Sequence, residues 1–175
     1  MKNLLITGPP RCGKTTFLMK ISNDPYLSQK VGGFITEEFR EKGERVGFKI
    51  TTLSDKKEGL LARKGFSSPY RVGKYGVNLE DLERIGCTAI EEAFRSGKII
   101  CVDEVGKMEL FSERFKNVLL QALNSPQKVL ATIMERKNEF TDRIKKREDV
   151  ELLHLNRDNF ERKLMQVRDW LKLPN

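Results

Sequence analysis

The chain has 175 residues, of which 33% are charged and 38% hydrophobic, and its net charge at pH 7 is +8. This length suits one α/β domain with a buried core, which we expect over residues 1–175. No apolar stretch approaches the length of a transmembrane helix, and the three cysteines have neither C-x-x-C nor zinc-binding spacing. We therefore expect a monomeric cytoplasmic protein with reduced thiols and no membrane association.

The predicted elements begin with a buried strand over Met1–Ile6 and a helix from Lys14 to about Ser28. Between them lies Gly8-Pro9-Pro10-Arg11-Cys12-Gly13-Lys14-Thr15, which fits the phosphate-loop pattern G-x-x-x-x-G-K-[ST]. A loop of this kind points successive backbone N–H groups at an anion. We expect Gly8 to Thr16 to bind a nucleoside triphosphate, with Lys14 on the β- and γ-phosphates and the Thr15 hydroxyl on Mg²⁺.

The residues from Val31 to Phe39 and from Val46 to Leu53 predict a β-hairpin around a polar turn. The Gly-rich segment Gly59–Gly76 is predicted to be irregular, with at most short strands around Leu61 and Val72. This region adds antiparallel strands to the rest of the predicted sheet.

From Asn78 onward the pattern alternates helices and strands. Asn78 is predicted to cap a helix that Gly97 ends, with Asp81 in the capping-box position. The remaining elements are a strand over Ile99–Val102, a helix capped by Ser112 that ends at Leu123, a strand over Val129–Ile133, a helix over Glu139–Arg147, a strand over Val150–Leu155, and a closing helix capped by Asn156 that places Trp170 in the core. Apolar strands separated by amphipathic helices indicate an α/β fold with a mainly parallel central sheet flanked by helices.

The strand Ile99–Val102 ends in the acidic pair Asp103-Glu104, which is the second half of the predicted site. Its carboxyl end places Asp103 beside the phosphate loop, where a carboxylate can hold Mg²⁺ through water. Glu104 points to a different side and can take a proton from an attacking water as a general base. An acidic strand end facing solvent is the alternative, but the phosphate loop independently requires a magnesium partner.

The stretch from Asp103 to Leu110, Asp-Glu-Val-Gly-Lys-Met-Glu-Leu, resembles the D-E-[IV]-G-K-M-E-L signature of the nucleoside-triphosphatase family first described in thermophiles. That family also includes the human cancer-related nucleoside triphosphatase. The likeness continues in Val31–Glu38, Arg45–Phe48 and Val72–Val77, and in the short element Asn156-Arg157-Asp158. It thus extends over nearly the whole chain.

The resemblance implies a RecA-like P-loop NTPase fold in which one inserted strand separates the phosphate-loop strand from the Walker-B strand. In this sequence the inserted strand would be Val129–Ile133. The family also implies Mg²⁺-dependent hydrolysis of ATP, GTP, CTP, UTP and related triphosphates to diphosphate and phosphate, with loose base selectivity. No separate base-reading motif is evident in the sequence.

Transition-state charge on the γ-phosphoryl group requires cations besides Lys14. Lys107 is the first choice as a further catalytic residue, because it follows Glu104 by three positions. Arg157 is second, with Asn156 as a contact to the base or ribose, and Arg11 and Lys74 are weaker candidates. Each of these is also explained as an exposed basic residue of the surface.

A few residues near these motifs have two interpretations each. Glu109 either orients Lys107 or lies in solvent. Thr132 either senses the γ-phosphate or is an ordinary β-forming residue, and Tyr70 and Tyr75 either stack on a base or pack normally.

Two other functions stay open from sequence. The first is a small nucleotide kinase, which also uses a Gly-Pro-Pro-x-x-Gly-Lys-Thr loop, although no arginine-rich lid segment is evident. The second is an ATP-gated module that binds nucleic acid, suggested by the net positive charge. The basic residues are spread along the chain, and the densest cluster, Arg136–Arg147, also contains acidic residues, so nucleic acid is the less favoured partner.

Overall fold

The computed structural model describes residues 1–172, so that residues 173–175 of the predicted domain lie outside the described part. Its strands are β1 (Asn3–Thr7), β2 (Val31–Glu41), β3 (Glu44–Thr52), β4 (Glu58–Lys64), β5 (Arg71–Val72), β6 (Tyr75–Val77), β7 (Ile99–Val105), β8 (Val129–Ile133) and β9 (Val150–His154). They form one nine-stranded sheet in the order β5-β6-β4-β3-β2-β7-β8-β1-β9.

The helices flank this sheet on both faces. They are α1 (Lys14–Ser22), α2 (Leu79–Asp81), α3 (Thr88–Arg95), α4 (Glu113–Asn124), α5 (Glu139–Lys145) and α6 (Phe160–Leu171). Alternate residues of β1 point to opposite faces: Leu5 joins the core with α3, α4 and α5, whereas Leu4 and Ile6 join the core with α1 and α6. Within residues 1–172, no helix combines the length and the apolar character needed to cross a bilayer.

The parallel half of the sheet has the topology expected for a RecA-like fold. Strand β8 pairs in parallel with β1 on one side and with β7 on the other, and β2 and β9 complete this half. The inserted strand between the phosphate-loop strand and the Walker-B strand is therefore Val129–Ile133, as predicted. The α/β prediction is confirmed.

The antiparallel half is larger than the predicted hairpin. The parallel pairing of β2 with β7 stops at Phe34 and Val102, while β2 continues to Glu41 and pairs with β3. The short strands predicted around Leu61 and Val72 are present as β4 and β5, but Gly59–Gly76 is more regular than predicted, because β6 pairs antiparallel with both of them and β4 pairs with β3. We call β3–β6 and the part of β2 beyond Phe34 the antiparallel extension; it projects past the carboxyl edge of the parallel strands.

Two predicted helix ends differ in the structure. Helix α1 stops at Ser22 rather than near Ser28, because Pro25 lacks an amide hydrogen and disfavours helical backbone at the residue before it. The closing helix begins at Phe160 instead of directly after Asn156, whose side chain accepts a hydrogen bond from the Asn159 amide in a preceding turn.

The helix predicted after Asn78 is capped by that residue, but it contains a π-helical segment over Leu82–Cys87 that the sequence pattern does not reveal. Asp81 does not close a capping box, because its carboxylate accepts from the Leu60 amide and pairs with Arg84. Ser112 caps α4 as predicted.

Candidate active site

The phosphate loop leaves the carboxyl end of β1 and enters α1 directly. Arg11 (φ 63°) and Gly13 (φ 97°) have left-handed backbone, which glycine adopts without a steric cost. A Cβ built on Gly8 would lie 2.3 Å from the Leu155 carbonyl oxygen and 2.9 Å from the Cys12 sulfur. The loop therefore packs closely against the segment after β9, and position 8 requires glycine.

The side chain of Lys14 folds back over this loop. Its Nζ donates to the carbonyl oxygen of Gly8 at 2.9 Å and to that of Pro9 at 3.2 Å. The amino end of α1 adds its own positive potential at the same place. The mouth of the loop is thus arranged to receive an anion.

Asp103 is the centre of a network of hydroxyl groups at the end of β7. It is only 1% exposed. The Thr15 hydroxyl donates to Oδ2 at 3.0 Å, the Thr36 hydroxyl donates to the same atom at 3.3 Å, and the Thr132 hydroxyl donates to Oδ1 at 2.6 Å. Burial raises the pKa of Asp103, and these hydrogen bonds oppose that shift. The phosphate loop and the acidic strand end thus meet through Thr15 and Asp103.

Glu104 follows directly and is half-buried. A Cβ built on Gly106 would lie 2.7 Å from its Oε1, so the side chain folds closely over that glycine. Burial raises the pKa of Glu104, the charge of Asp103 raises it further, and Lys14 opposes both effects. The Glu104 carboxylate is therefore subject to the positive charge of Lys14 as well as the negative charge of Asp103.

The donors at this site fit a magnesium ion. Thr15 and Asp103 supply a hydroxyl and a carboxylate oxygen, which are ligands of the kind Mg²⁺ takes. In the part of the chain that the structure describes, no three His, Cys, Asp or Glu residues cluster as a self-sufficient metal site. Mg²⁺ often takes its other ligands from water and substrate phosphates, so one hydroxyl and one carboxylate are sufficient.

Comparison with known proteins gives a consistent result. A protein-family model described as NTPase matches residues 3–168. A relative described as nucleoside-triphosphatase THEP1 from Thermotoga sp. (strain RQ2) is 48% identical, over 97% of this chain and 95% of the relative. The chain belongs to the THEP1 nucleoside-triphosphatase family.

Two solved structures extend this result to the fold. The crystal structure of THEP1 from Aquifex aeolicus matches with a TM-score of 0.88 and 35% identity, covering 97% of this chain and 98% of that one. The solution structure of a human cancer-related nucleoside triphosphatase matches with a TM-score of 0.83 and 33% identity, covering 98% and 97% respectively. The resemblance inferred from the sequence motifs is confirmed.

In this member of the THEP1 family, the other predicted cations lie at the surface. The side chains of Arg11, Lys74, Lys107 and Arg157 are exposed, and none forms a hydrogen bond or ion pair with residues 1–172. Arg157 follows Leu155, whose amide donates to the Thr7 carbonyl at 2.7 Å and so ties this segment to the phosphate-loop strand. The geometry does not choose among these cations, and the role of Lys107 stays a prediction.

Sequence reasoning missed Thr36, and both of its interpretations of Glu109 were wrong. Thr36 contacts Asp103 from β2, and the signal was a polar residue after the apolar run Phe34-Ile35 at a strand that borders β7. Glu109 neither orients Lys107 nor lies in solvent: it is 3% exposed, whereas Lys107 is exposed. The signal here was a single acidic residue between Met108 and Leu110.

The aromatic candidates pack within the protein. Tyr75 is buried, lies 5.3 Å from the Phe48 ring between centroids, and accepts a hydrogen bond from Arg45. Tyr70 is more exposed and contacts the Phe111 ring. Trp170 lies at the edge of the α6 core rather than within it, and its indole N–H donates to the Met1 carbonyl.

Proposed function

We propose that this protein hydrolyses nucleoside triphosphates to the diphosphate and inorganic phosphate with Mg²⁺. We further propose that it accepts ATP, GTP, CTP and UTP with loose base selectivity. Relatives described as nucleoside-triphosphatases support the reaction class. The observation that carries the proposal is Glu104, a carboxylate placed directly after buried Asp103 and under the influence of Lys14.

The phosphate chain binds in the loop from Gly8 to Thr16. Backbone N–H groups of the loop and of the first turn of α1 donate to phosphate oxygens. On binding, the Lys14 ammonium exchanges the Gly8 and Pro9 carbonyls for oxygens of the β- and γ-phosphates. This exchange is favourable because a hydrogen bond between two charged groups is stronger than one to a neutral carbonyl.

Thr15 and Asp103 would hold the magnesium ion, which when bound neutralises charge on the β- and γ-phosphates. Three threonine hydroxyls fix the Asp103 carboxylate before any nucleotide arrives. A ligand held in advance loses little entropy when it binds. The polar side chains of Thr36 and Thr132 therefore act as supports of Asp103.

Glu104 is the general base for the attacking water. Its carboxylate takes a proton from water as the water oxygen forms a bond to the γ-phosphorus. The bond from that phosphorus to the β–γ bridging oxygen breaks, and the diphosphate leaves with the electron pair. Lys14 and a second cation, which we assign to Lys107, stabilise the charge that spreads over the γ-phosphoryl oxygens.

In this proposal Asn156 and Arg157 contact the base or the ribose. The Asn156 side-chain oxygen already accepts from the Asn159 amide at 2.9 Å, which leaves its NH₂ group and one lone pair for a base. One side-chain amide and one flexible guanidinium discriminate weakly among four bases. This arrangement supports loose selectivity.

Phosphate release with each of the four triphosphates, with and without Mg²⁺, tests the proposal. We expect Lys14→Ala to lose nucleotide binding or turnover. Glu104→Gln should keep binding of a fluorescent nucleotide and lose about 10²–10⁴-fold in kcat, as expected for a general base. The matched control is Glu113→Gln, an exposed carboxylate at the start of α4. Near wild-type turnover in Glu104→Gln would show that the assigned base is wrong.

The same assay separates the alternative functions. A nucleotide kinase would consume triphosphate only when a nucleoside monophosphate acceptor is added. A nucleic-acid-gated module would show turnover that rises with polynucleotide and falls steeply with salt. We expect phosphate release that needs neither addition.

A further inference from the structure

Phe160 adjoins both segments that the proposed function assigns to the nucleotide, and the proposed chemistry gives its ring no role. The ring packs against the phosphate loop, because a Cβ built on Gly13 would lie 3.3 Å from its Cε2 and 3.6 Å from its Cδ2. In sequence Phe160 follows Asn156 and Arg157 closely, and it is the first residue of α6. The ring therefore lies where the phosphate loop meets the segment proposed to contact the base or ribose.

The turn before Phe160 fixes the position of the ring. The Asn159 amide donates to the Asn156 side-chain oxygen at 2.9 Å, and the Asn156 amide donates to the Asn159 side-chain oxygen at 3.0 Å. The side-chain NH₂ of Asn159 also donates to the His154 carbonyl at 2.9 Å. These hydrogen bonds form before any nucleotide arrives, so a ligand that contacts the ring loses little free energy in ordering it.

The half-buried ring of Phe160 has one buried neighbour and one exposed neighbour from α1. Phe17, which is fully buried, meets the ring edge-to-face, with centroids 5.3 Å apart and planes at 78°. The Lys20 ammonium lies over the ring, 5.4 Å from its centroid. The Lys20 side chain is 51% exposed and pairs with Glu161 at 3.6 Å. A contact between an exposed cation and a ring is weak, so a ligand can displace the ammonium from the ring.

We propose that the base of the bound triphosphate stacks on the Phe160 ring, in the place that the Lys20 ammonium occupies. Stacking on an aromatic ring tolerates any base, because every base has a π face. Hydrogen bonds to base edges would instead reject bases that leave them unmade. A ring that contributes most of the contact with the base therefore accounts for loose selectivity among ATP, GTP, CTP and UTP. The inference rests on the proposed function, and it adds the group that binds the base.

Inorganic tripolyphosphate has the phosphates without a base, so it distinguishes stacking from support of the loop. Phe160→Leu keeps an apolar side chain without the ring. The dissociation constants of the β,γ-imido analogues of ATP and GTP, measured by calorimetry with Mg²⁺, should rise about 10–100-fold in this variant. Binding of tripolyphosphate should change by less than about twofold. Phe160→Tyr keeps the ring and should bind every ligand within about threefold of wild type. Phe94→Leu, which removes a 42% exposed ring from α3, is the control.

A fluorescent ring at position 160 reports stacking directly. In a protein that carries Phe160→Trp and Trp170→Phe, the ATP analogue should quench the indole fluorescence and tripolyphosphate should not. Binding of the ATP analogue without quenching would overturn the proposal. So would equal losses for the ATP analogue and tripolyphosphate in Phe160→Leu, because the ring would then only support the phosphate loop. If the wild-type protein binds ATP through the ring but releases no phosphate, the proposed hydrolysis fails and the stacking result stands.

Discussion

The antiparallel extension and the carboxyl edge of the parallel strands differ in the burial and pairing of their acidic side chains. On the extension, glutamates stand at the surface beside basic partners, as in the pairs Arg63–Glu41 at 2.8 Å and Lys49–Glu58 at 3.1 Å. At the carboxyl edge, Asp103 and Glu109 are 1% and 3% exposed, and neither forms an ion pair within residues 1–172.

The exposed charges of the extension and the buried carboxyl groups of the carboxyl edge therefore have different roles. An exposed ion pair costs little to form and contributes little to stability. A buried carboxylate without a cation costs free energy, so it persists only where something other than stability requires it. The parallel edge therefore lowers the stability of the fold, and the extension is close to neutral.

The largest expected effect distinguishes a glycine of the parallel half from a glycine of the antiparallel extension, both with left-handed backbone. Gly33 has φ 97°, and a Cβ there would lie 2.0 Å from the Cys101 carbonyl oxygen, whereas Gly43 has φ 80° at the tip of the extension with nothing within 4 Å. Gly33→Ala should lower the free energy of unfolding by about 4 kcal/mol or more, and Gly43→Ala by about 1 kcal/mol. Urea unfolding measures both free energies. Equal losses in the two variants would show that the close contact with Cys101 is not what requires glycine at position 33.

Next in size is the removal of the buried charge itself. Asp103→Asn should lower kcat for phosphate release by about 10²–10³-fold, the size expected when an electrostatic group of the site is lost. The free energy of unfolding at neutral pH should not decrease, because the uncharged amide is cheaper to bury. Glu41→Gln on the extension is the control and should change neither quantity. A strongly destabilised Asp103→Asn protein would mean that the charge supports the fold.

The sequence predicted the parallel half of the fold, and it predicted that the phosphate loop and Asp103 lie side by side. The spacing of Gly8, Gly13 and Lys14 predicts the loop, and a buried strand that ends in Asp103 predicts its partner, because both patterns are local. The position of β8 between β1 and β7 followed from family resemblance, since strand order is set by packing far apart in sequence.

The parts that could not be predicted depend on tertiary contacts. Strand β6 and its pairing with β4 and β5 were not predicted, because these short segments are rich in Gly and charge and are stabilised by a neighbouring strand rather than by their own pattern. The burial of Glu109 follows from the way the 3₁₀ turn over Glu109–Phe111 closes on Gly106, which no spacing rule describes. Loose surface cations such as Lys107 carry no signal for their role, because exposed basic residues are common in this chain.

An ion pair of intermediate burial, less exposed than the pairs of the extension, gives a pH-dependent prediction. Arg168 donates to Asp24 at 2.5 Å, and their side chains are 31% and 11% exposed. The Arg168 hydrogen bond lowers the pKa of Asp24 below its ordinary 3.8. Its contribution to stability is therefore present above about pH 4 and is lost as the pH falls through the folded-state pKa. Asp24→Asn should cost about 1 kcal/mol at pH 7, and the difference from wild type should shrink in acid.

The smallest effect is expected for an exposed ion pair of the antiparallel extension. A double-mutant cycle of Arg63→Ala and Glu41→Ala should give a coupling free energy of about 0.5 kcal/mol or less, because their side chains are 40% and 54% exposed. In 1 M salt the coupling should disappear, since the Debye length falls to about 3 Å. A coupling above about 1.5 kcal/mol, unchanged by salt, would mean that the extension depends on its charges for stability, and the contrast with the buried acids of the parallel edge would then fail.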